Sequence, residues 1–92
     1  MAKEYQSMPL PDSSGRVVLY DPEEESSLIQ NLACVELSGA VRWRAQLPTT
    51  EPNDRFVGVR WDGALLLANS WSCFAVWIDP TTGQTLKTVF TK

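Results

Sequence analysis

The side chains able to do covalent chemistry are few in this 92-residue sequence, and none is well supported. It contains no histidine, which removes the commonest general base and the usual partner of a serine or cysteine nucleophile. Cys34 and Cys73 are the only thiols, and both lie inside apolar, strand-like runs with no activating neighbour. Two cysteines without histidine cannot supply the four ligands of an ordinary zinc site. Asp62 and Asp79 could pair as carboxylates, but each begins a turn, and turn duty accounts for them. The glycines are isolated, so no phosphate-cradling loop is present. These residues predict no catalytic, cofactor or metal site. An enzyme working through Cys73 is the weakest of the functional readings.

Binding chemistry is better represented. Four tryptophans in so short a chain are many. Trp43 and Trp77 read as core. Trp71, in "NSWSC" at a strand end among small polar residues, reads either as packing or as an exposed anchor of the kind that dominates interfaces. Arg42 and Arg44 project from one strand face, with Arg60 as a third member. They form either a solvated face or a small basic patch for an acidic partner or a second subunit.

Composition bounds the rest. The chain is long enough for one domain and is 43% hydrophobic, a globular composition. Its longest apolar run, Ala64 to Ala68, is far too short to span a bilayer. The start "MAKEYQSMPLPDSS" has no apolar central region, so a cytoplasmic chain with reduced cysteines is expected. The net charge is −3, with two basic and six acidic residues in 1–30 against six and five in 31–92. No basic cluster of nucleic-acid type occurs. An acidic N-terminal third leaves open an immunity-type inhibitor that neutralises a partner protein.

The elements that would position these residues are strands. Residues 1–14 carry Pro9 and Pro11 without periodicity and read as a flexible arm, leaving 15–92 as a single β domain. "RVVLY" (Arg16–Tyr20) is a first strand. In "DPEEESSLIQ", Asp21, Pro22 and Glu24 suit a helix start, and Glu23–Glu25 favour the helix dipole, so a short helix is expected near residues 22–30. Three hairpins follow. Leu32–Leu37 and Ala40–Leu47 turn at Ser38–Gly39, Arg55–Trp61 and Ala64–Trp71 at Asp62–Gly63, and Cys73–Asp79 and Gln84–Thr91 at Pro80–Gly83. Short connections force antiparallel neighbours. The expectation is an all-β chain, an antiparallel meander of about seven strands forming a small sandwich, half-barrel or blade-like sheet. Ala64–Trp71 and Cys73–Asp79 are apolar on both faces and must be covered on both.

The stretch "DGALLLANSWSCFAVWIDPTTGQTLK" (Asp62–Lys87) resembles one blade-repeat of the quinoprotein-like β-propellers, with Asp62, Gly63, Asp79, Thr82 and Gly83 at matching places. "NLACVELSGAVRW" looks like a shortened copy in which Gly39 and Trp43 keep the Gly-x-x-x-Trp ending. The turn glycines Gly39 and Gly83 are 44 residues apart, the spacing of successive four-stranded blades. In the second copy Trp77 stands where the family has a small alanine, and Lys87 where it has the closing tryptophan. No cofactor-binding residue of the quinoprotein enzymes carries over. A propeller needs about four blades to close, so this chain must fold back on itself or be covered by another copy. The resulting expectation is a non-catalytic binding or structural module whose partner is itself, as a homodimer, or another protein.

Overall fold

The computed structural model describes residues 4–21 and 30–91. Eight strands form two four-stranded antiparallel sheets. The first sheet holds β1 (Glu4–Pro9), β2 (Gly15–Tyr20), β3 (Leu32–Glu36) and β4 (Val41–Arg44) in sequence order. The second holds β5 (Phe56–Asp62), β6 (Leu65–Ser70), β7 (Phe74–Ile78) and β8 (Thr85–Phe90), likewise in order. The meander read from the sequence is therefore two meanders, divided at the proline-containing loop 45–55. The three hairpin turns stand where turn chemistry put them, with Gly39, Gly63 and Gly83 all at positive φ.

Alternation explains why the sheets face each other. Val17 and Leu19 of β2, Leu32 and Cys34 of β3 and Trp43 of β4 form one buried cluster. With them pack Phe56 and Val59 of β5, Leu66 and Ala68 of β6, and Val76 and Ile78 of β7. Each group lies on one side of its strand. The sheets approach most closely at β2 and β5. Asn31, 2% exposed, clamps that side. Its amide nitrogen donates to the Phe56 carbonyl at 2.8 Å, and its amide oxygen accepts from the Phe56 amide at 2.9 Å. A side chain thus supplies Phe56 with the two hydrogen bonds that a neighbouring strand would provide.

The two sheets are offset by one strand. With β2 against β5 and Trp43 of β4 against the β7–β8 turn, β1 overhangs one side and β8 the other. Exposure follows: β1 is mostly exposed, and every residue of β8 is exposed.

Two expectations are corrected here. The stretch 1–14 holds a strand, Glu4–Pro9, paired along β2, and so is no free arm over that range. Its two partly buried residues are Gln6 and Met8, of which only Met8 is apolar and packs against the core, so no apolar alternation shows in the sequence. It is tied instead by backbone pairing, by the Arg16–Glu4 ion pair at 2.6 Å, and by Gln6 Nε2 donating to the Val59 carbonyl at 2.6 Å. Pro9 ends this edge strand, where a missing N–H is tolerated. Trp77 lies outside the core cluster, because Val76 and Ile78 take the inward side of β7. The short helix read near 22–30, with Glu23–Glu25, falls on residues 22–29, outside those described.

Candidate binding surfaces

At one end of the second sheet, the loop before β5 meets the β6–β7 turn. Asp54 is 3% exposed, and its carboxylate is saturated with donors. Thr49 Oγ1 donates at 2.6 Å, Ser72 Oγ at 2.9 Å, the Arg55 amide at 3.0 Å and the Ser72 amide at 3.2 Å. Ser70 and Ser72 share a hydroxyl hydrogen bond at 2.8 Å, and Ser70 Oγ accepts from the Phe74 amide at 3.2 Å. A buried carboxylate held this way fixes two loops against each other. Nothing in the sequence marks it, because Asp, Ser and Thr in loops read as turn formers.

This network presents Trp71 to solvent. Trp71 is 54% exposed, with the Arg55 guanidinium 5.5 Å from its ring centroid, so the exposed alternative for Trp71 is the one found. Cys73 follows in a left-handed backbone conformation, φ 72°, and its thiol contacts the Trp71 carbonyl at 3.8 Å. Both cysteines are free. Cys34 is fully buried, and burial pushes its thiol above the ordinary range.

The three arginines are not brought together. Arg42 and Arg44 flank the inward Trp43 and so share the outer face of the first sheet. Arg42 pairs with Glu36 at 3.3 Å and reaches Ser14 Oγ at 3.2 Å. It borders a cleft of about 240 Å³ with Leu10, Asp12 and Pro80. Arg44 donates to the Gln30 carbonyl at 3.5 Å. Arg60 alternates with the inward Val59 and Trp61, which places it on the outer face of the second sheet, across the molecule. Asp62 and Asp79 are also apart in use. Asp62 accepts from Trp77 Nε1 at 2.7 Å, and Asp79 accepts from the Thr81 amide within its turn at 2.8 Å. Among the described residues no cluster of three His, Cys, Asp or Glu could hold a metal ion, and no helix is long and apolar enough to cross a membrane.

The outer face of the second sheet is closed by the chain itself. Trp77, bonded to Asp62 and with Lys87 Nζ 5.1 Å from its ring centroid, lies beside Leu67 and Ala75. Both are only 6% exposed. A group of uncovered apolar residues lies at the edge. On β8, Leu86 is 51%, Val89 38% and Phe90 56% exposed, with Phe90 against Phe74 at 5.2 Å between ring centroids. Sequence reasoning took these six residues for an ordinary hairpin strand. The available signal was the broken alternation of "TLKTVF", whose apolar residues fall on both faces.

A family model described as a domain of unknown function (DUF7957) matches residues 11–90. The chain belongs to this family. The DUF7957 match begins in the β1–β2 connection and takes in every strand from β2 to β8. No curated protein and no solved structure matches the chain.

Proposed function

We propose that this DUF7957 chain is a non-catalytic, cytoplasmic protein-binding module whose partner is a second copy of itself, joined along β8. The observation that carries this reading is the exposure of all six β8 residues, Leu86, Val89 and Phe90 among them, on an edge that has no neighbouring strand among the described residues. An edge strand offers a row of unpaired N–H and C=O groups, a ready template for another strand. Natural edges are commonly guarded by an outward lysine or a bulge. Here Lys87 is drawn onto the Trp77 ring, and the bulge lies at the start of the strand, leaving Lys87–Phe90 regular. Binding is favoured over catalysis because Asp62 and Asp79 are engaged in separate duties and Cys73 has no base beside it among the described residues.

The likeness to propeller blades supplies a reason for the two-sheet arrangement. Trp43, in the segment read as the shortened repeat, is seated on Gly83, in the segment read as the full one, a contact that joins the two sheets.

Amide hydrogen exchange at increasing protein concentration tests the reading. Protection should rise in β8 and stay constant in β2 and β6. Exchange in β8 that is independent of concentration contradicts it.

A further inference from the structure

Trp71 and Arg55 are set on a rigid base beside open surface, and the charges around them define what that surface can hold. We propose that the outer face of the β5–β6 hairpin docks an extended acidic segment of another protein, a contact separate from the β8 edge.

Alternation defines the face. Val59 and Ala68 are paired across β5 and β6, and both point into the core. The pairs on either side of them, Arg60 with Leu67 and Gly58 with Asn69, therefore point outward. The Trp71 amide donates to the Arg55 carbonyl at 2.7 Å, which makes Arg55 and Trp71 the next outward row. Arg60 and Arg55 thus stand beside Leu67 and Trp71, four residues or about 13 Å apart along β6. Trp77 closes this sheet over Leu67 and Ala75, but the β5 side is left open, with Val57, Arg60, Asn69 and Trp71 all exposed. Between the two arginines is Gly58, and nothing lies within 4 Å of where its Cβ would be.

Charge selects the occupant. The ion pairs among the described residues, Arg16–Glu4 and Arg42–Glu36, both belong to the first sheet. Arg55 and Arg60 have no carboxylate partner of this kind. Arg55 Nη1 donates to the Asn53 carbonyl at 2.9 Å, while Nε is buried with no hydrogen-bond partner. A buried donor left in that state is costly, and the guanidinium edge that grips a carboxylate in a fork is unused. Trp71, held in place by the Asp54 network, adds an apolar surface whose ordering is already complete. In an extended segment alternate residues share one side. A segment with Glu, an apolar residue and Glu at every second position therefore spans the same 13 Å or so, its apolar side chain over Gly58 and beside the indole. Strand addition at β5 is not the mode of contact, because Asn31 already holds both backbone groups of Phe56 and Gln6 holds the Val59 carbonyl. A nucleic acid fits less well, since a chain of net charge −3 repels a long polyanion, whereas a short segment senses mainly the local arginines.

Fluorescence anisotropy with a labelled peptide Ser-Glu-Ser-Leu-Ser-Glu-Ser tests this, beside the same peptide with Gln for Glu and a labelled single-stranded oligodeoxynucleotide. The wild-type chain should bind the glutamate peptide and neither of the others. Arg60→Gln should weaken binding about threefold, the scale of an exposed ion pair. Arg55→Gln and Trp71→Ala should weaken it about tenfold or more. Arg42→Gln, on the first sheet, should bind as the wild type does. Far-ultraviolet spectra check that each variant is folded, and should Arg55→Gln or Trp71→Ala fail that check, the exposed Arg60 position decides. Equal binding of the glutamine peptide, tighter binding of the oligonucleotide, an Arg60→Gln variant no weaker than Arg42→Gln, or no binding of the glutamate peptide overturns the proposal.

Discussion

The indole of Trp43 occupies the space where a side chain at Gly83 would begin. A Cβ at Gly83 would stand 2.6 Å from Trp43 Cδ2, and Trp43 Nε1 donates to the Pro80 carbonyl at 2.8 Å. One residue from the last strand of the first sheet is thereby locked into the last turn of the second. Gly83 is required twice, by its positive φ of 77° and by this contact.

Gly39 separates the two requirements. Its φ is 93°, but nothing lies within 4 Å of where its Cβ would be. Gly39→Ala should cost about 1–2 kcal/mol, the left-handed backbone penalty alone. Gly83→Ala adds overpacking against the indole and should cost about 2–5 kcal/mol. Urea titration of the two variants checks this. Equal costs would mean that the Trp43 contact yields freely.

Trp43 and Trp77 should differ in the same experiment. Trp43 is 7% exposed within the core cluster, and Trp43→Ala should cost about 3–5 kcal/mol. Trp77 lies on the outer face, and Trp77→Ala should cost about 1–2 kcal/mol through lost cover over Leu67 and Ala75 and the lost cation–π contact. A Trp77 variant as damaged as the Trp43 variant would contradict the assignment of faces in β7.

Thiol reactivity should separate the two cysteines. Burial removes Cys34 from reagent and raises its thiol pKa, so the thiolate that reacts is scarce at neutral pH. Cys73 is partly exposed and should alkylate first, giving a singly labelled native chain by mass spectrometry. Labelling of Cys34 at a comparable rate would show that the core opens readily.

Much of the fold was legible because hairpins announce themselves locally. "SG", "DG" and "PTTG" placed three turns, and the strands around them agree with the structure to within a few residues at their ends. β1 was not legible, since Met8 is the single apolar residue that it turns to the core. The division into two sheets was hidden as well, because Asn31 and Trp43 act across the core between residues distant in sequence. The site was harder still. Exposure of Trp71 depends on how Asp54 gathers Thr49 and Ser72, and Arg60 is parted from Arg42 and Arg44 because β5 and β4 belong to different sheets. The offset of those sheets strips β8 of cover, a property of packing that a six-residue pattern cannot state.

Sedimentation velocity on the wild-type chain and on Thr88→Pro tests the β8 edge most directly. Thr88 turns its N–H outward, so proline there removes a hydrogen bond to a second strand while leaving the β7 ladder whole. The wild-type chain, 10.3 kDa, should sediment as a dimer at micromolar concentration, and Thr88→Pro as a folded monomer with an unchanged far-ultraviolet spectrum. A wild-type monomer, or a Thr88→Pro dimer as stable as the wild type, would contradict the account.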